Sequence, residues 1–168
     1  MDQPAVTSPD DDLDAAIALW LRKAEMPPAL LGTARERLLH RIDLHGIGPS
    51  LALAGGAVPA DLAAALRERL VAREFWEAQH VRLLGQALDA LVKAGLTPLL
   101  FKGTALAWSH YGTPSSRVRG DSDILVEPEG REAAIAALEE AGFTSPPSAG
   151  GTVLVAEKLF RKPDPTGI

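Results

Sequence analysis

The segment LLFKGTALAWSHYGTPSSRVRGDSDILV, residues 99 to 126, holds the side chains whose types and spacing could do chemistry. Asp121 and Asp123 stand two apart in a stretch that alternates polar and apolar residues. On a strand, both carboxylates would leave one face, roughly 6 to 7 Å apart along the chain. Two carboxylates held that way repel unless a cation lies between them. A hard divalent ion answers the need: Mg²⁺, with Mn²⁺ as the alternative, takes all-oxygen ligation from one or two carboxylates plus the phosphates of a substrate. Just upstream, Lys102-Gly103-Thr104 closes an apolar run and opens a helix. The free amides and positive dipole end of a helix attract phosphate, and glycine lets it approach the backbone closely. Lys102 would add a point charge and Thr104 a hydroxyl, while Arg117 and Arg119 would enter from the loop before the aspartates. A phosphate grip next to a metal clamp is what binding a metal-nucleoside triphosphate, and displacing pyrophosphate from it, would require.

Plainer explanations exist for each feature alone. With 22 acidic residues in 168 positions, an isolated Asp-x-Asp says little and is more often a solvated turn. Lys102 could snorkel at a strand end, and Arg117 and Arg119 could pair with Asp121 or Glu127 on the surface. The joint occurrence of the Lys-Gly, the arginines and the flanking strand favours a metal site. The four histidines offer no ligand set: His40 and His45 flank a helix end, His80 is alone in a long helix, and His110 sits beside Tyr111. Trp20, Trp76 and Trp108 read as core anchors. Cysteine is absent, which excludes disulfides and thiolate chemistry, and no Ser-His-Asp order, Walker A loop or zinc-protease motif occurs.

These residues need elements to position them. Residues 1 to 7 read as a disordered lead, and Ser8-Pro9 as an N-cap with proline at the first helical position, opening a helix to about Ala24. Met26-Pro27-Pro28 breaks it. A short helix over 33 to 43 follows, then a Gly/Pro-punctuated connection over 45 to 60. From Asp61 to Ala94, apolar residues at three- and four-residue spacing predict one long helix, or two with a kink, stopped by Gly95. Beyond it the spacing predicts strand 96 to 101, helix 104 to 111, strand 121 to 126, helix 129 to 141, and a strand over 152 to 161 before a turn at 164 to 167. The expected fold is α+β with an α/β-like core, a helical region over 8 to 95 packed on a small mixed sheet within 96 to 168.

Composition narrows the function classes. Hydrophobic residues make up 46% and charged residues 23%, the balance of a globular chain. A net charge of −5 argues against a nucleic-acid-coating protein, which needs many Lys and Arg to neutralise phosphates. The acidic N-terminus does not read as a secretory signal and no window is long and apolar enough for a membrane span, so a cytoplasmic protein is expected.

The stretch LLFKGTALAWSHYGTPSSRVRGDSDILVEP, followed by AAIAALEEAGF, resembles the uncharacterised nucleotidyltransferase family of the polymerase-beta-like nucleotidyltransferase superfamily. Lys102, Gly103, Tyr111, Arg117, Asp121, Asp123, Gly142 and Phe143 occupy the places of its pattern. The resemblance implies a metal-dependent transfer of a nucleotidyl group from a nucleoside triphosphate to an acceptor that the sequence does not identify. Asp121 and Asp123 would hold the metal, Gly103 and Thr104 would cradle phosphates, and the sheet would be of nucleotidyltransferase type. Two positions depart from the pattern: Ser122 replaces the usual apolar residue between the aspartates, and Thr104 stands where Gly or Ser is common. Active superfamily members also carry a third carboxylate on a later strand. This sequence stops at Ile168, so a truncated product or fragment lacking that acid and its last strand is expected, with Glu127, Glu129 and Asp164 as the acids on hand. The alternatives are a catalytically impaired nucleotide-binding module and a helical interaction protein that uses residues 61 to 94.

Overall fold

The structure, a computed structural model, describes residues 8–145 and 159–162. Ser8 and Asp11 form a capping box, each side chain accepting from the other's amide at 3.2 and 2.9 Å, and Pro9 opens α1 (Pro9–Lys23). Asp10 to Asp12 in its first turn and Arg22 and Lys23 in its last complement the helix dipole. There follow α2 (Pro28–Leu31), α3 (Arg35–Leu44), α4 (Gly48–Ala54), α5 (Ala60–Lys93), β1 (Leu99–Phe101), α6 (Lys102–His110), a 3₁₀ turn (Pro114–Ser116), β2 (Asp123–Leu125), a second 3₁₀ turn (Pro128–Gly130) and α7 (Arg131–Glu140).

Two helices were not expected. Pro28 does not only end the preceding helix but also starts α2, and Pro49 lies at the start of α4 inside the stretch read as a connection. Both prolines sit in a first helical turn, where the missing amide would have no intrahelical partner anyway. The long helix is a single element of 34 residues. Both strands are shorter than expected, three residues each, and β2 begins at Asp123 rather than Asp121. The α+β character holds, and among the described residues the sheet is one antiparallel pair. The strand expected over 152 to 161 falls mostly outside the described residues, within which Arg161 forms an isolated bridge with Thr144; the turn at 164 to 167 lies outside them too. Among the described residues no helix is long and apolar enough to cross a membrane.

The chain divides into two compact units, one formed by Met1–Glu77 with Ala105–Gly120, the other by Ala78–Thr104 with Asp121–Ile168. In the first, Leu13, Ile17 and Trp20 fall at helical spacing on α1 and meet Leu38 and Ile42 of α3, Leu51 of α4, and Leu62 and Leu66 of α5. Trp20 is wholly buried there. Arg41 of α3 forks onto Asp14 of α1: its Nε donates to Oδ1 at 2.8 Å and its Nη2 to Oδ2, and His45 Nε2 lies 3.1 Å from the same Oδ2.

Those hydrogen bonds, Arg41 first and His45 behind it, hold the Asp14 carboxyl at about 2 against the opposing effect of burial. A carboxyl depressed by folding stabilises the native state above its ordinary value of 3.8 and loses that contribution as pH falls from there through 2. The melting temperature should therefore drop over that window. Asp14→Asn should melt lower than the wild type at neutral pH and show a flatter acid limb, read by circular dichroism.

In the second unit, Ala87 and Leu91 of α5 pack with Ala134 and Leu138 of α7 and with Phe143, and Leu96 and Ile124 border them. Gly95 and Gly142 follow α5 and α7 with φ of +78° and +83°, the left-handed conformation that glycine adopts without steric cost. The Phe143 amide then returns to the Leu138 carbonyl at 2.9 Å, which turns its ring into the core.

Candidate functional site

The antiparallel register pairs Leu99 with Leu125, Leu100 with Ile124 and Phe101 with Asp123. The start of β2 is thus opposite the end of β1, and the chain passes from β1 into α6 with no intervening loop. That abrupt change falls on Lys102, whose φ is +52°. A residue with a side chain rarely occupies this region, at a cost of about 1–3 kcal/mol, and such strain persists where surrounding structure holds it. Here the Lys102 ammonium lies 2.9 Å from Asp123 Oδ1 and 5.1 Å from the centre of the Phe101 ring. The lysine is half-exposed, and the Asp123 side chain keeps 25% of its surface in solvent. The helix start carrying Lys102, Gly103 and Thr104 and the carboxylate of Asp123 are therefore brought together, as the sequence suggested.

Asp121 is placed differently from the expectation. It precedes β2, so strand alternation does not fix its direction relative to Asp123. Its backbone is tied instead: the fully buried Thr104 hydroxyl donates to the Asp121 carbonyl at 3.4 Å and lies 2.6 Å from the Ser122 hydroxyl. Ser122 in turn meets His80 Nε2 of α5 at 2.7 Å. The Asp121 carboxylate is exposed and, among the described residues, makes no hydrogen bond or ion pair.

This His80–Ser122–Thr104 chain gives two residues a role. Ser122, where the family pattern has an apolar residue, supplies the hydroxyl that joins α5 to α6, and His80, alone among histidines in its helix, meets that hydroxyl. Both partners sit far away in sequence, His80 by 42 positions and Thr104 by 18, so neither spacing nor periodicity could reveal them. Thr104 spends its hydroxyl on this internal chain, and the residue is wholly buried. Replacing Ser122 by Ala removes a partner from two part-buried groups and should cost about 1–3 kcal/mol of stability in urea unfolding. Ser122→Thr, which restores a hydroxyl, should recover part of it.

Whether these residues suit a metal can be judged from their donors. Asp123 already accepts a cation on Oδ1, the Lys102 ammonium, and Asp121 offers an exposed carboxylate two residues before the start of β2. Among the described residues no group of three or more His, Asp or Glu side chains gathers at one point. Two carboxylates are too few to cage a metal alone, yet they match a Mg²⁺ ion that brings phosphate oxygens with it. The donors thus fit a metal carried on a polyphosphate.

Arg117 and Arg119 belong to the first unit. Arg117 lies over the Tyr111 ring at 5.7 Å and donates from Nη1 to the Tyr111 hydroxyl at 3.3 Å. Arg119 is not a surface residue pairing with Asp121 or Glu127: it is buried, and its Nη2 donates to Glu77 Oε1 at 2.6 Å. Arg73 completes this cluster, stacked 3.8 Å over Trp76 and donating from Nη2 to the Arg119 carbonyl at 2.8 Å. Burial, partly offset by Glu77 and reinforced by Arg119, pushes the Arg73 guanidinium below its ordinary pKa. Glu77 and Arg73 gave no sequence signal, since a long helix rich in charge conceals which charges turn inward.

A family model described as an uncharacterised nucleotidyltransferase matches residues 33–158, a span that includes Lys102 through Asp123. No curated protein and no solved structure matches the chain.

Proposed function

The chain belongs to the uncharacterised nucleotidyltransferase family, and from that premise we propose that it transfers a nucleotidyl group from a nucleoside triphosphate with the help of Mg²⁺ or Mn²⁺. The supporting observation is the register of β1 on β2, which sets the Lys102 ammonium 2.9 Å from Asp123 at the opening of α6. Asp121 and Asp123 would hold the divalent ion. When bound, that ion would neutralise phosphate charge and stabilise the departing pyrophosphate.

The chain's own residues have the remaining work. Gly103, in the first turn of α6, is part-exposed and has no side chain to keep a phosphate from its backbone amide, so it can bind a phosphate oxygen. Lys102 is a half-exposed cation on a flexible stem, so on arrival of a triphosphate it can move from Asp123 to a phosphate, freeing Oδ1 for the metal. Ser122 and Thr104 keep α6 and the Asp121 carbonyl in fixed relation during that exchange. Arg117 and Arg119 would add positive charge for phosphate; Arg119 is buried on Glu77, whereas Arg117 rests against Tyr111.

The experiment is pyrophosphate release by the full chain with each common nucleoside triphosphate and Mg²⁺. Release that depends on both nucleotide and metal supports the transferase. A metal-dependent rise in melting temperature with no release would support a binding module that has lost turnover. No effect of any nucleotide on melting or on pyrophosphate would contradict both.

A further inference from the structure

Among the described residues, Arg73 is a guanidinium without a carboxylate of its own, and it lines a groove of about 310 Å³ in the first unit. The other arginine of the groove, Arg69, is neutralised: its Nε and Nη2 lie 2.6 Å from the two carboxylate oxygens of Asp43, and its Nη1 donates to the Ala65 carbonyl at 3.1 Å. Arg73 instead meets the Arg119 carbonyl and the Trp76 ring, which orient a cation but do not cancel its charge. Its Nε is buried without a hydrogen bond. The nearby acid, Glu77, gives Oε1 to Arg119, so two guanidinium groups share one carboxylate, with Glu77 Oε2 also left unbonded. Burial disfavours the charged form of Arg73, as its lowered pKa reflects.

A partly buried charge gains from an anionic partner, and a small concave site with apolar walls and one unneutralised charge suits a ligand with an apolar body and an anionic end. The walls here are Ile42, Pro49, Trp76 and Val118. We propose that this groove binds a small organic anion, its carboxylate or phosphoryl group on Arg73 and its apolar body against Pro49 and Val118. The site lies within one unit and stands whether or not Asp121 and Asp123 hold a metal.

The test is calorimetric titration of the full chain, at low ionic strength, with benzoate, phenyl phosphate and inorganic phosphate as probes. Benzoate or phenyl phosphate should bind, and the tighter of the two identifies the anionic group. Inorganic phosphate, which lacks the apolar body, should bind at least about tenfold more weakly than the better aromatic probe. Arg73→Met should weaken binding by about tenfold or more, the scale of losing a charge-assisted hydrogen bond. Asp43→Asn releases the Arg69 fork and should strengthen it several-fold, a gain that a misfolded variant could not give. Asp123→Asn should leave it unchanged. Failure of both aromatic probes to bind, undiminished binding in Arg73→Met, no gain in Asp43→Asn, or loss of binding in Asp123→Asn would each overturn the proposal.

Discussion

Asp123→Asn and Asp121→Asn should each lower metal-dependent pyrophosphate release by about two to three orders of magnitude, the scale on which losing one preorganised charge-stabilising group slows a reaction. The expected loss does not come from unfolding. Asp123 keeps part of its side chain in water and its partner Lys102 is half-exposed, so breaking that pair changes stability by no more than about 1 kcal/mol. The Asp121 carboxylate is exposed. Melting temperatures of both variants should therefore stay within a few degrees of the wild type while turnover collapses. Equal turnover in either variant would remove that residue from the metal site. Lys102→Met gives a complementary expectation: without nucleotide it should bind Mn²⁺ more tightly than the wild type, because no ammonium competes for Asp123, yet it should bind a triphosphate less tightly.

Glu77→Ala should be the most destabilising single change in the charged clusters, by about 3–5 kcal/mol, because it strands the Arg119 guanidinium in the interior. The Arg119 and Glu77 side chains keep only 3% and 10% of their surfaces in solvent, and Arg73 already adds a second, unpaired positive charge nearby. Removing both charges is a different matter. The double variant Glu77→Leu/Arg119→Met retains packing on Trp76 and removes the most buried ion, leaving only the part-exposed Arg73 without its nearby acid, so it should recover part of the lost stability in urea unfolding. Equal destabilisation in the single and double variants would mean that the pair contributes through its hydrogen bonds rather than through charge balance.

The sequence carried the elements whose signals are local. The N-cap at Ser8, the three- and four-residue apolar spacing of α5, and the glycines after α5 and α7 each act within a turn or two of helix, and all three held. The signals that misled were also local. Pro28 and Pro49 read as breaks although proline serves equally as a helix start, and only packing of Leu30 and Leu51 into the core selects between the two roles. Asp121 to Val126 alternates as a strand does, yet Asp121 and Ser122 lie outside β2, their hydrogen bonds running to Thr104 rather than along the strand.

For the candidate site, what could be read was the cluster of chemistry-bearing residues between 102 and 123; what could not was which of them are spent internally. Thr104 and Arg119 look like free phosphate ligands in a line of letters. In three dimensions one hydroxyl is committed to Ser122 and one guanidinium to Glu77, partners 18 and 42 positions away. Nothing about residue type announces such commitments, because a buried arginine and an exposed one are written the same way. The ion pair between Lys102 and Asp123 is the reverse case: the register that joins them follows from two short apolar runs separated by one helix, and the sequence did place both residues at the ends of those runs.

A structure of the full chain grown with Mn²⁺ and a non-hydrolysable triphosphate analogue would decide whether the two acids serve the purpose argued for them. The expected result is anomalous density for the metal about 2.1 Å from an oxygen of Asp121 and of Asp123, the usual distance for small hard cations, with the phosphates over the first turn of α6 and Lys102 moved onto one of them. Metal bound elsewhere, or nucleotide bound while the Lys102 ammonium still rests on Asp123, would contradict it.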